Sequence, residues 1–221
     1  TWTDRKLARA KYSMSLFVWY FGTNRQYHDV PHHQMVLGPR YEGLLTDIFL
    51  KHKLTEDFSL YLHRPSASDD SVAPAGHDCF YALSPVPHLD SGVNWATEAE
   101  TYRARVQKRL EETVLPGLGR HIVSSRVTTP QQFHDDLLSY KGAAFGMEPR
   151  LLQSAWFRPH NRSEELPGLF LVGAGTHPGA GVPGVLMSAA ALETVLPPLP
   201  HMPAVPQAPA RPLTSPEALA R

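Results

Sequence analysis

Gly173, Ala174, Gly175, Thr176, His177, Pro178, Gly179, Ala180 and Gly181 form an uncharged run of small side chains with a histidine at its centre. Glycine has no Cβ, so a ligand can approach backbone N–H groups closely, and a helix starting just after such a loop aims the positive end of its dipole at the same place. The chemistry on offer is the holding of an anionic or carbonyl-bearing ligand. A charge at a helix start gains only about 0.3–1 kcal/mol, so the loop fits one wall of a larger cofactor pocket. Gly179, Ala180, Gly181, Val182, Pro183 and Gly184 also spell G-x-G-x-x-G, the dinucleotide fingerprint. That fold needs a second strand ending in an acid about 20 residues on, a distance that here lands in a proline-rich tail, so the match is read as accidental.

The other residues that could do chemistry are histidines and one thiol. Among 12 histidines, His28, His32 and His33 gather beside Asp29. Their spacing fits none of the usual zinc patterns and they flank a proline turn, so they read as solvated or edge-strand histidines and no metal is assigned. His177 and His160 stand in more suggestive surroundings; His177 is the one catalytic candidate, and no general base is named. Cys79 is the only cysteine, which excludes an internal disulfide framework and suits an inert, buried thiol.

The glycine loop must be positioned by its flanks. Residues 169–172 (LFLV) suggest a short buried strand and residues 182–195 a helix with Pro183 near its start, the whole reading strand, glycine loop, helix. No Lys, Arg, Asp or Glu lies between Glu165 and Glu193, yet six glycines and three prolines from 167 to 184 exclude an uninterrupted membrane-spanning helix. Upstream, residues 16–21 (LFVWYF) resemble a strand buried on both faces. Residues 33–37, 58–63 and 79–83 look like further strands, with a helix-like stretch over 40–50. Thr97 and Glu100 fit a capping box ahead of Tyr102, Val106, Leu110 and Val114, which recur every four residues until Pro116-Gly117 stops the helix. Residues 122–128 predict a strand, and Thr129-Pro130-Gln131-Gln132 starts a short helix to about 139. Residues 142–147 (GAAFGM) make a second small-residue loop.

The division expected is a mixed-sheet α+β part over 1–139, a return segment over 140–196, and a proline-rich tail over 197–221, polyproline-like or disordered. At 221 residues and 42% hydrophobic content the chain can bury a core. Lys plus Arg number 21 and Asp plus Glu 21, which gives no long-range field for nucleic acid. The cationic first residues lack a signal-peptide core. Starting without methionine and running from a basic helix-like stretch into a strand, the chain resembles a cut through a larger protein.

Residues 169–190 (LFLVGAGTHPGAGVPGVLMSAA) are similar to the C-terminal flavin signature of bacterial phytoene desaturases, within the amine-oxidase-like flavoproteins. Residues 153–161 (QSAWFRPHN), 58–65 (FSLYLHRP), 83–89 (LSPVPHL) and 37–41 (LGPRY) resemble that family in the same order, so the likeness runs from about 15 to 196. It implies an α+β/α/β fold: a substrate-binding sheet plus the closing strand, loop and helix of an FAD domain. The family's N-terminal strand, true fingerprint loop and ribose-binding acid have no counterpart here, so the FAD site would be partial and these 221 residues alone inactive. The resemblance places Gly173, Ala174, Gly175, Thr176 and His177 along FAD, with Gly179, Gly181, Val182, Pro183 and Gly184 at the helix start. It implies removal of two hydrogens from phytoene or a related carotene, one as hydride and one as proton, at the inner, cytoplasmic face of the cell membrane. The aromatics of 16–21 could wall an apolar tunnel, although core is their ordinary fate. Carotenoid isomerases and ketolases share the scaffold; a nicotinamide-dependent reductase and a cofactor-free apolar-binding module are rivals of other classes.

Overall fold

A computed structural model of the chain describes residues 2–197, so the expected proline-rich tail lies outside the described residues from 198 onward. Its first strand is β1 (Ser15–Thr23), where Phe17, Trp19 and Phe21 point to one face and are buried. On the other face Leu16 and Val18 are buried but Tyr20 is 44% exposed, so burial on both faces holds for the first part of the strand only. Around β1 lie β2 (His33–Val36), β3 (Leu60–His63), β4 (Asp78–Val86) and β5 (Ile122–Thr128) in the order β2-β3-β4-β1-β5. Every pairing is antiparallel, which corrects the expected mixed sheet. Alternation along β4 buries Phe80, Ala82, Ser84 and Val86 on one face and leaves Cys79 and Tyr81 only partly covered on the other. Cys79 is therefore half-buried, not sequestered in the core.

The helix α1 (Asp4–Arg9) precedes β1, and α2 (Tyr41–Phe49) joins β2 to β3. The stripe predicted from Tyr102 to Val114 belongs to α3 (Trp95–Thr113) and its C-cap Val114; Trp95, Tyr102, Val106 and Leu110 join Phe17, Leu60, Leu62 and Val86 in one core, with Val114 packed against it. Burial of each such side chain stabilises by about 1.5–3 kcal/mol. The cap differs from the expected one. Asn94 Oδ1 accepts from Ala96 N at 3.1 Å, while Thr97 lies inside the first turn and donates its hydroxyl to Asn94 O. Asparagine is among the strongest caps, and starting there lets Trp95 bury. Glu100 pairs with Arg103 instead of capping. The cap predicted at Thr129 is present, with both arms of a capping box to Gln132, but α4 (Pro130–Asp135) ends before 139; Leu138 then turns to φ +54°.

Asp78 is fully buried yet satisfied. Its carboxylate lies 3.1 Å from Arg64 Nε and accepts from Tyr27 N at 2.7 Å and Ser66 Oγ at 2.8 Å, while Arg64 Nη1 donates to the carbonyls of Tyr27 and Val30. This pair ties the β1–β2 connection to β4. Among the described residues no helix is long and apolar enough to cross a membrane.

Candidate cofactor site

The glycine loop ends where the sequence places it, at α5 (Val182–Val195) with Pro183 in the first turn. The run before it does not form the expected strand. Phe170 makes an isolated bridge with Arg162, and Leu169 and Val172 are exposed, because no other strand among the described residues pairs with this segment. Polar side chains hold the segment in place. Asn161 Nδ2 donates to Leu171 O at 3.0 Å and to Ser188 O and Oγ, each at 3.1 Å. Ser188, the one buried residue of α5, accepts from Gly173 N at 3.2 Å and shares a 2.8 Å contact with Thr176 Oγ1. Since the Thr176 hydroxyl donates to Gly173 O at 2.9 Å, the Ser188 hydroxyl must donate to Thr176. The loop is thus cinched to the helix by a satisfied, buried network.

Two glycines show what this arrangement requires. A Cβ on Gly184 would stand 2.6 Å from Gly179 O, so only glycine lets the loop carbonyl rest on the helix. A Cβ on Gly175 would meet nothing within 4 Å, which leaves the loop's outer side open for a ligand. Gly181 is the N-cap of α5 at φ +95° and no side chain caps the helix. Its first-turn amides and dipole therefore have no local carboxylate against them.

Arg158 faces the same loop from the other side. It is 3% exposed; Nη1 donates to Ala174 O at 2.7 Å, Nη2 donates to Met147 O at 2.9 Å, and buried Nε has no partner. No carboxylate pairs with it among the described residues. Burial pulls the guanidinium below its usual range, but arginine keeps its charge in proteins. With Phe145, Met147, Pro178, Gly179 and Gly181 it lines a cavity of about 600 Å³. Residues 142–147 reach that cavity because they run beside the start of β1: Ser13 N donates to Gly146 O at 2.9 Å and Ala144 N to Met14 O at 3.0 Å.

The predicted residues are thus divided. Gly179 and Gly181 share the Arg158 cavity, whereas His177 lines a different one, of about 550 Å³, with Trp156, His160 and Val195. His177 N donates to Pro159 O, its Nδ1 is buried and unpartnered, and the His177–Pro178 peptide is cis. His160 has both ring nitrogens engaged, Nε2 by Trp156 O and Nδ1 by Glu164 at 2.8 Å. Gly173, Ala174, Gly175 and Thr176 lie on the loop, and Val182, Pro183 and Gly184 open the helix. Phe17, Trp19 and Phe21 belong to the core, their ordinary fate. Sequence reasoning missed Arg158, Asn161 and Ser188. A lone serine in an apolar helix was a signal that could have found Ser188; the charge isolation of Arg158 had none.

Another cavity, about 970 Å³, is lined by Arg40, Asp47, Lys51, Asp57, Glu98 and Arg105. Its charges pair among themselves, with Arg40 on Asp57 and Lys51 on Asp47, so it offers little to an apolar ligand.

Comparison with known proteins adds an independent line. Residues 61–191 match the family described as "Flavin containing amine oxidoreductase". Over 204 residues the chain is 55% identical to the phytoene desaturase (neurosporene-forming) of Rhodobacter capsulatus, covering 90% of this chain and 39% of that protein. It is 56% identical over 205 residues to the phytoene desaturase (neurosporene-forming) of Cereibacter sphaeroides, with the same coverage of 90% and 39%. Against the phytoene desaturase (lycopene-forming) of Pseudescherichia vulneris it is 50% identical over 191 residues, 86% of this chain and 39% of the relative. The chain spans about 39% of the length of these relatives.

Proposed function

The chain belongs to the flavin containing amine oxidoreductases, and from that premise we propose that the complete protein is an FAD-dependent desaturase of phytoene or a related acyclic carotene. The observation that carries the cofactor part is the loop between α5 and Arg158: Gly173 and Gly175 with open space beside them, and a buried guanidinium with no carboxylate partner among the described residues. These features fit the anionic part of a dinucleotide. Gly173, Ala174, Gly175, Thr176 and His177 would lie along it, and Gly179, Gly181, Val182, Pro183 and Gly184 would present the uncapped start of α5. Bound FAD supplies a two-electron acceptor for hydride. Arg158 and the helix dipole contribute fixed positive potential at no reorganisation cost when negative charge develops. Ser188, Asn161 and Thr176 hold the loop amides in place, and Phe145 and Met147 give the cavity an apolar wall. His177 helps hold the loop through its backbone N–H, which donates to Pro159 O, and the proton acceptor is not assigned to this chain.

A hydrocarbon substrate is bound by apolar contact, about 0.8 kcal/mol per buried CH₂. The relatives named as phytoene desaturases support carotene as the substrate class. Carotenes dissolve in membranes, so the protein is proposed to work at the inner, cytoplasmic face of the cell membrane. Residues 1–139 form the substrate-binding part and 140–196 the return to the FAD domain. In α5, Val182, Leu186 and Met187 are exposed although the helix is apolar all round. Such a helix needs a second face to pack on, which the remaining length of the relatives would supply.

Expression of the complete gene in cells that accumulate phytoene, followed by pigment analysis and absorbance of the purified protein, tests this. Flavin bands with loss of phytoene and a more conjugated product are expected. A flavin-free protein would refute the cofactor reading. A flavoprotein that only isomerises or oxygenates carotenes would refute the desaturase reading.

A further inference from the structure

On the outer face of the sheet, at its β2 edge, three histidines converge although they are distant in sequence. His33 and His63 are directly opposite in the antiparallel β2–β3 register, which puts both rings on one face. His32 would point to the other face if β2 continued through it, but it occupies a bend before the strand, and its ring turns to lie 4.6 Å from that of His63. Each residue offers one ring nitrogen, and the three lie within 4.8 Å of one another. From this geometry we propose that His32, His33 and His63 form a binding site for a zinc-class divalent transition ion, separate from the glycine-loop site.

The hydrogen bonds prepare the rings for that role. His32 Nδ1 meets Ser68 Oγ and His33 Nδ1 meets Tyr61 Oη, each at 2.6 Å. Both contacts fix ring orientation and leave Nε2 as the available ligand, as the outer partners of metal-bound histidines do. His63 Nε2 lies 2.7 Å from His32 Nε2, while buried His63 Nδ1 has no partner, so hydrogen bonding alone leaves the cluster incomplete.

Three Zn–N bonds of about 2.0–2.1 Å in tetrahedral geometry need nitrogen separations of about 3.3 Å. The 2.7 Å pair of His63 and His32 would open by a few tenths of an ångström to reach that separation, and all three nitrogens already lie within 4.8 Å of one another. No carboxylate belongs to the cluster among the described residues, and an all-imidazole set favours zinc, copper or nickel over magnesium or calcium. A fourth position stays open to water. The bound ion would clamp edge strand β2, and with it the bend at His32, onto β3.

The test uses the tag-free, full-length protein, stripped with chelator and dialysed, then titrated with Zn²⁺ by calorimetry and with Co²⁺ by visible absorption. One saturable site of micromolar or tighter affinity is expected, with tetrahedral Co²⁺ bands and a raised thermal midpoint on Zn²⁺ addition. His33→Ala, at an exposed position, and His32→Gln should each weaken binding by more than the roughly 10- to 100-fold that loss of an outer partner causes. His134→Ala, outside the cluster, should bind as wild type does. Absence of saturable uptake up to about 100 µM metal, or equal uptake by His33→Ala and His32→Gln, would overturn the site.

Discussion

Replacing Gly175 by alanine separates a cofactor contact from a folding requirement. The new methyl would meet no atom of this chain within 4 Å, and Gly175 does not sit at a positive φ that only glycine tolerates. The flavin-free protein should therefore keep its stability or gain up to about 1 kcal/mol from a less flexible unfolded chain. If FAD packs along the loop, the same methyl intrudes on a close contact, and overpacking of that kind costs about 1–3 kcal/mol. At about 1.4 kcal/mol per factor of ten, the flavin Kd should rise about 5- to 150-fold. Flavin fluorescence quenching on the reconstituted full-length protein gives the Kd, and urea denaturation of the flavin-free form gives the stability. An unchanged Kd would show that nothing binds beside Gly175. A loss of flavin-free stability would show that the steric reasoning is wrong.

Other expectations follow from single interactions. Gly184→Ala, whose Cβ would press on Gly179 O, should lower flavin occupancy and flavin-free stability together, the stability by about 1–3 kcal/mol in urea titration. Arg158→Met removes the buried charge and strands the carbonyls of Ala174 and Met147; a rise in flavin Kd of at least about tenfold is expected by the same fluorescence titration. Asp78→Ala leaves Arg64 buried without its carboxylate and should destabilise by about 3–5 kcal/mol, read as a lower denaturation midpoint. Burial, opposed by Asp90 and assisted by His52 and Lys141, holds His88 below the usual imidazole range. Its unfolded form then binds protons more readily, so its contribution is complete above about pH 6.5 and is lost as pH falls through the depressed folded value. His88→Gln should flatten the decline in stability measured between about pH 7 and pH 5.

Local rules made much of this chain legible. Val182–Val195 was visible as a helix because Gly181 and Pro183 mark its start. Tyr102, Val106 and Leu110 betrayed α3 because their spacing places them on one stripe facing the core. Thr129 and Gln132 announced α4 through a contact spanning three residues. Each signal acts within a turn or two of chain, where backbone geometry fixes which side chains meet. Failures at the same scale were competitions: Asn94 outranked Thr97 as a cap because it also allowed Trp95 to bury.

What the sequence by itself determined is therefore the glycine loop, its helix and the apolar stripes, whose causes are the absent Cβ, the fixed proline φ and helical periodicity. Only tertiary structure decided the antiparallel order β2-β3-β4-β1-β5, the failure of residues 169–172 to form a strand without a partner, and the burial of Arg158 under the loop. It also decided that His63 joins His32 and His33. These outcomes depend on which distant segments pair and in what register, and register is set by the burial of whole strand faces, a condition no local window contains.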